Sequence, residues 1–182
     1  MRKMNLLDSI LKEINEVVSK VDEQSLANAA AVLSKDRRIF VVGEGRSGLM
    51  AKGFAMRLMH LGYEVYVVGE TITPAIKEND VVVAVSGSGK SANVVSDAKK
   101  AKEKGATVLA LTSNLESDLA RCSDESVLVP GTVRGDEGES RKSIQLLSSL
   151  FDQSVHIVLD GLCLYLSRRD GVSNETATGK HW

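Results

Sequence analysis

Two short segments of this 182-residue chain concentrate groups that could hold an anion. Ser86-Gly87-Ser88-Gly89-Lys90-Ser91 brings three hydroxyls, two glycines and a lysine into six residues. Hydroxyl donors, together with backbone N–H groups that glycine leaves uncovered, suit a phosphate dianion. Gly43-Glu44-Gly45-Arg46-Ser47-Gly48 has the G-x-G-x-x-G spacing. Each segment follows a short apolar run and opens a stretch of helical periodicity, so the field of a helix start adds to both sites.

Each motif alone points elsewhere. Gly43–Gly48, with Glu70 near where a dinucleotide fold places its ribose-binding acid, fits NAD. Ala84 to Ser91 nearly matches G-x-x-x-x-G-K-[ST], with Ile157–Asp160 as a candidate Mg²⁺-holding strand. Against the G-K-[ST] match, Ala84 falls inside the apolar run Val81–Val85 and Ile157–Asp160 lies in a helical stretch. Against NAD, a dinucleotide fold needs a separate substrate region, for which the chain has little room. Two polar loops bracketing one crevice suit a compact, phosphorylated, hydroxyl-rich ligand.

The elements that would position these loops follow from periodicity. Leu6, Leu7, Ile10, Leu11, Ile14, Val17 and Val18 predict an N-terminal amphipathic helix, and Gln24–Leu33 a second one capped by Asp22. Short β-branched runs predict strands at Ile39–Val42, Val65–Val68, Val81–Val85, Thr107–Leu111 and Ser126–Val129. Helices are predicted at Ser47–Leu61, Ser91–Lys104, Glu116–Arg121 and Ile144–Arg169, with a loop at Pro130–Lys142. Strands alternating with helices predict an α/β three-layer sandwich, doubly wound around a five-stranded parallel sheet. The expected organisation is one domain over 1–182: N-terminal helices 5–35, sheet core 37–130, C-terminal helix 144–170 and a polar tail 171–182 without regular structure. Ligands in such sheets lie beyond the carboxyl ends of the strands, where both loops fall.

The bulk numbers narrow the partners. A net charge of −1 creates no global field for nucleic acid or an anionic membrane, and 4% aromatic residues offer no base-stacking platform. The apolar run of the N-terminus is broken at Asp8, Lys12 and Glu13, so neither a signal peptide nor a membrane span is expected. Cys122 and Cys163 are far apart and form no ligand-spaced cluster. The expected location is the cytoplasm. The apolar surplus on the first and last long helices predicts a homo-oligomer.

The stretches VVGEGRSG, AMRLMHLG, VYVVGETITPAI and AVSGSGKS resemble the sugar isomerase (SIS) domain proteins, and among them the 6-phospho-3-hexuloisomerases. The resemblance runs from the N-terminal helices to about His181. It implies a five-stranded parallel sheet and commonly a homotetramer. It also implies interconversion of D-arabino-hex-3-ulose 6-phosphate and fructose 6-phosphate in the ribulose monophosphate pathway, without metal or organic cofactor. Ser47 and Ser86 to Ser91 fall on its substrate-binding positions, and Asp152 where it has a catalytic glutamate. Three departures stand out. Lys90-Ser91 replaces Glu-Thr, the proline and glycine ahead of the acid are absent from Leu146-Leu147-Ser148, and the acid is one methylene shorter.

Carbonyl transfer between neighbouring carbons needs a base for a carbon-bound proton and an acid for the oxygens of an enediol. Asp152 is the candidate base. Read without the resemblance, it is a solvated acid on an amphipathic helix. His60 and His181 are candidates for the acid or proton shuttle. His60 serves equally as a helix-end histidine on the dipole, and His181 reaches a site only if the tail folds over it, from its own or a neighbouring subunit. His156 is assigned to packing. Gly45, Arg46 and Lys90 complete the expected substrate contacts, with a surface ion pair and a solvated lysine as the plainer roles of Arg46 and Lys90.

Overall fold

The computed structural model of the chain describes residues 5–138 and 142–182. Its strands are apolar on both faces, and their alternation divides the core in two. β1 (Ile39–Gly43), β2 (Val65–Val67), β3 (Val81–Val85), β4 (Thr107–Thr112) and β5 (Glu125–Leu128) form one parallel sheet in the order β2-β1-β3-β4-β5. Ile39, Val41, Val83 and Leu109 face α1 (Leu6–Val18), α2 (Glu23–Val32), α3 (Gly45–Leu61) and α6 (Ser149–Arg169). Phe40, Val82, Ala84 and Val108 face α4 (Ala92–Glu103) and α5 (Asp118–Cys122). The architecture is thus the α/β sandwich with a five-stranded parallel sheet that the sequence predicts. β3 is central, with every residue fully buried, as expected for a strand covered on both faces.

The topology brings the two loops together. From β1 the chain runs outward to β2, then returns past β1 to β3 and continues outward the other way. β1 and β3 are therefore neighbours, with Gly43 opposite Val85. The helices that follow them leave to opposite faces, α3 to one and α4 to the other. Loop ends that part in this way open a crevice at the switch point.

Two elements differ from expectation. The last long helix begins at Ser149 rather than Ile144. The apolar residues Ile144, Leu146 and Leu147 imitate a helical face but are 59%, 78% and 64% exposed, and Leu147 has a left-handed φ of 51° that ends helical propagation. Glu13 on α1 ties this segment down: its carboxylate accepts from Ser143 Oγ (2.8 Å), the Ile144 N–H (2.8 Å) and Gln145 Nε2 (3.1 Å). The polar tail contains a short helix, α7 (Asn174–Thr178), capped by Ser173. No helix among the described residues is long and apolar enough to cross a membrane.

Candidate active site

The Ser86–Ser91 loop is a turn built on glycine. Gly89 has φ +63°, and its N–H donates to the Ser86 carbonyl (3.1 Å). Its own carbonyl accepts from the Leu119 N–H (3.0 Å). The hydroxyls of Ser86 and Ser91 share a hydrogen bond of 3.0 Å, and Ser88 Oγ accepts from the Lys90 N–H (3.2 Å). The Gly43–Gly48 loop closes as tightly: a Cβ on Gly48 would lie 2.5 Å from the Gly43 carbonyl oxygen. Asn93 in the first turn of α4 donates to the Glu44 carboxylate and joins the two loops.

Side-chain capping separates the helix starts that border the cleft from the other helix starts. α1, α2, α5 and α7 begin at Asn5, Asp22, Ser117 and Ser173, each of which caps its helix with its side chain. α3, α4 and α6 begin at Glu44, Ser91 and Ser148 with no side-chain cap. All three uncapped starts border one cleft of about 1250 Å³. The Ser149 N–H donates to the Leu146 carbonyl (3.0 Å); the other first-turn N–H groups and the positive dipole ends suit an anion.

Asp152 lies in the first turn of α6 and on the wall of this cleft, yet it is only 2% exposed. Glycines elsewhere in the chain bury it. A Cβ on Gly131 would stand 2.7 Å from Phe151 Cα, and one on Gly87 2.9 Å from Phe151 Cδ1. Their absence lets the first turn of α6 settle onto the end of β3, beside the serine loop. Ser47 Oγ donates to Asp152 Oδ1 at 2.6 Å. Arg46 Nε stands 3.9 Å from Oδ2, and Arg46 Nη1 donates to Ser149 Oγ at 2.9 Å. Burial pushes the Asp152 carboxyl above the usual carboxylate range, against the opposing pull of the Ser47 hydroxyl and the Arg46 guanidinium. A carboxylate that is ionised, nearly dry and bonded on one oxygen only can accept a proton at the other.

Gly45, Arg46, Ser47, Ser86, Gly87, Ser88, Lys90 and Ser91 all border the cleft, while Gly89 is buried behind it. The histidines do not join them. His60 is at the far end of α3, about 22 Å along the helix from Gly45. It is buried there against His181, with ring centroids 5.5 Å apart. Burial lowers its pKa, and its Nδ1 has no hydrogen-bond partner. Within one chain, therefore, neither His60 nor His181 reaches Asp152, because α3 carries them away from the carboxyl ends of the strands. His156, one turn beyond Asp152 on α6, is exposed and pairs with Asp160 at 3.5 Å rather than packing inside one chain. Among the described residues no group of three or more His, Cys, Asp or Glu side chains could hold a metal ion.

Sequence reasoning missed Ser113 and Asn114, which line the cleft just beyond β4. The rule that selected the first two loops applies to them as well, since a polar S-N pair follows the apolar run of that strand.

The SIS domain model matches residues 32–157. The 3-hexulose-6-phosphate isomerase of Bacillus subtilis is 36% identical over 181 residues, covering 100% of this chain and 98% of that protein. The enzyme of the same name from Mycobacterium gastri is 38% identical, covering 97% and 88%. A crystal structure from Methanococcus jannaschii, described as inferring a function of 3-hexulose-6-phosphate isomerase, superposes with a TM-score of 0.81 at 29% identity, covering 97% of each chain. A family match over more than half the chain, joined to relatives that span nearly all of it, shows that this chain belongs to the SIS domain family.

Proposed function

We propose that the chain is a sugar-phosphate isomerase of the 6-phospho-3-hexuloisomerase type, interconverting D-arabino-hex-3-ulose 6-phosphate and fructose 6-phosphate. The observation that carries this is Asp152, a buried carboxylate held by Ser47 on the same cleft wall as an uncapped, hydroxyl-lined phosphate cradle. The phosphate sits among Ser86, Ser88, Ser91 and the start of α4, with Lys90 at its rim. Held by that remote group, the sugar presents its carbonyl end to Asp152, and such positioning lowers the barrier to proton transfer. Oδ2 takes the proton from C2 of the 3-ketose. The electron pair forms the C2–C3 double bond while the carbonyl pair moves onto O3, giving an enediolate; the O2 proton passes to O3, and the carbon-bound proton returns at C3 as C2 becomes the carbonyl. Nothing is oxidised overall, so the balance needs no cofactor. Arg46 steadies the negative charge that passes between carboxylate and sugar oxygens.

The test mixes purified protein with the 3-hexulose phosphate and follows fructose 6-phosphate. Turnover is expected; a folded protein that gives none overturns the proposal. A second reading is a phosphosugar-binding module without catalysis. It is favoured by an uncharacterized HTH-type transcriptional regulator of Haemophilus influenzae, 33% identical over 135 residues that make up 71% of this chain and 46% of that protein. It expects fructose 6-phosphate to raise the melting temperature with no isomerisation.

The proposal includes a homo-oligomer, with a tetramer favoured. Leu7 and Leu11 on α1, Met56 on α3, and Leu164 and Tyr165 on α6 are each about half to two-thirds exposed, more apolar helix surface than water favours. Sedimentation equilibrium is expected to give a multiple of the 19.6 kDa chain mass, and Leu11→Glu with Leu164→Glu to reduce it. A 19.6 kDa species at micromolar concentration would exclude the oligomer.

A further inference from the structure

The carbonyl oxygen of Gly87, inside the serine loop, accepts from two consecutive residues at the end of β4. Ser113 donates its N–H at 2.9 Å and its Oγ at 2.8 Å, and Thr112 donates its Oγ1 at 3.1 Å. In a trans peptide the carbonyl and the next N–H point in opposite directions, and the described chain has no cis bond. Turning the Gly87 carbonyl toward β4 therefore turns the Ser88 N–H away from it. That N–H has no acceptor among the described residues, and Ser88 borders the cleft. Glycine on one side of this peptide makes its rotation cheap. The rotated peptide would present an acceptor where a phosphate needs a donor.

We propose that Thr112 and Ser113 are positioning residues for phosphate binding, holding the Gly87–Ser88 peptide with its N–H toward the anion. The proposal rests on the phosphosugar reading of the cleft. Thr112 is fully buried, so it acts on a ligand only through this peptide and through the Asn114 N–H, which its Oγ1 accepts at 3.3 Å. Ser113 is partly exposed and bonds the same carbonyl twice.

Isothermal titration of the full chain with inorganic phosphate and with fructose 6-phosphate tests this. Thr112→Val keeps volume and β-branching but loses the donor. It is expected to weaken both ligands roughly three- to tenfold, and in turnover the loss falls on KM rather than kcat. Thr112→Ser, which keeps the hydroxyl, restores the affinity. Ser113→Ala carries the same test should Thr112→Val fail to fold. Wild-type chain that binds neither ligand overturns the cleft reading and the proposal with it. Binding that Ser86→Ala weakens, but that Thr112→Val and Ser113→Ala leave unchanged, overturns the positioning role alone. So does a loss that Thr112→Ser fails to restore.

Discussion

Asp152→Asn is expected to lower kcat by about 10²–10⁴-fold, to leave fructose 6-phosphate affinity nearly unchanged, and to raise the melting temperature at neutral pH. The first effect follows from removing the base. The second follows from geometry, because Asn is isosteric and its carbonyl can still accept from Ser47 Oγ. The third follows from linkage. Burial holds the Asp152 carboxyl above the usual range, so between the unfolded pKa and the higher folded one the native state binds more protons than the unfolded chain. Stability contributed by this residue is therefore present at low pH and is lost as pH rises through the folded pKa. At neutral pH the protein carries that penalty in full and the Asn variant carries none. The stability gain should shrink as pH falls below the folded pKa. The acid limb of kcat/KM should lie above an ordinary aspartate. Steady-state kinetics, calorimetric titration with fructose 6-phosphate and melting curves across pH check the three effects. A variant that keeps more than about a tenth of the activity removes Asp152 as the base.

Such a trade of stability for a dry carboxylate is what the proposed role of Asp152 as base requires, and it leaves little trace in the sequence. Val81–Val85 announced a buried strand by composition alone, and the two glycine-bearing loops announced themselves by following such strands. Parallel register, with Gly43 opposite Val85, then made them neighbours. Asp152 carries no comparable local signal, since its burial comes from Gly87 and Gly131, which let Phe151 pack closely. Only the family resemblance pointed to it. Ile144, Leu146 and Leu147 misled because apolar spacing cannot reveal that Glu13 has captured the Ile144 N–H. The histidines stand apart from Asp152 within one chain, so a catalytic role for them requires a neighbouring subunit. Residue type suggests proton transfer, but a 17-residue helix carries His60 to the opposite end of the layer. Thr112 and Ser113 act through a backbone carbonyl, a contact that side-chain pattern does not encode.

Gly89→Ala is expected to destabilise the protein by roughly 2–5 kcal/mol, lowering the melting temperature on the order of 10 °C, and to abolish phosphate binding. Two independent effects add. A φ of +63° is left-handed, which costs an L-residue about 1–2 kcal/mol. The new methyl would also stand 2.0 Å from Ser117 Oγ, 2.4 Å from Ser117 Cβ and 3.0 Å from Thr112 Oγ1. Ser117 cannot swing clear. It is 2% exposed, its Oγ caps α5 by accepting from the Ala120 N–H, and the clash reaches Cβ, which no rotamer moves. Overpacking of this kind costs about 1–3 kcal/mol, so relief comes by shifting the backbone of residues 86–91, the same atoms proposed to hold the phosphate. A second substitution separates the two effects. Ser117→Gly removes both clashing atoms at the expense of a few tenths of a kcal/mol at the cap. Gly89→Ala/Ser117→Gly should therefore be more stable than Gly89→Ala alone, with the left-handed strain remaining. Denaturant melts of the three variants and the wild type measure the coupling. If Gly89→Ala melts with the wild type and still binds phosphate, the turn does not have this shape. If the double variant is no more stable than Gly89→Ala, the penalty is strain without clash, and α5 does not abut the loop at Ser117.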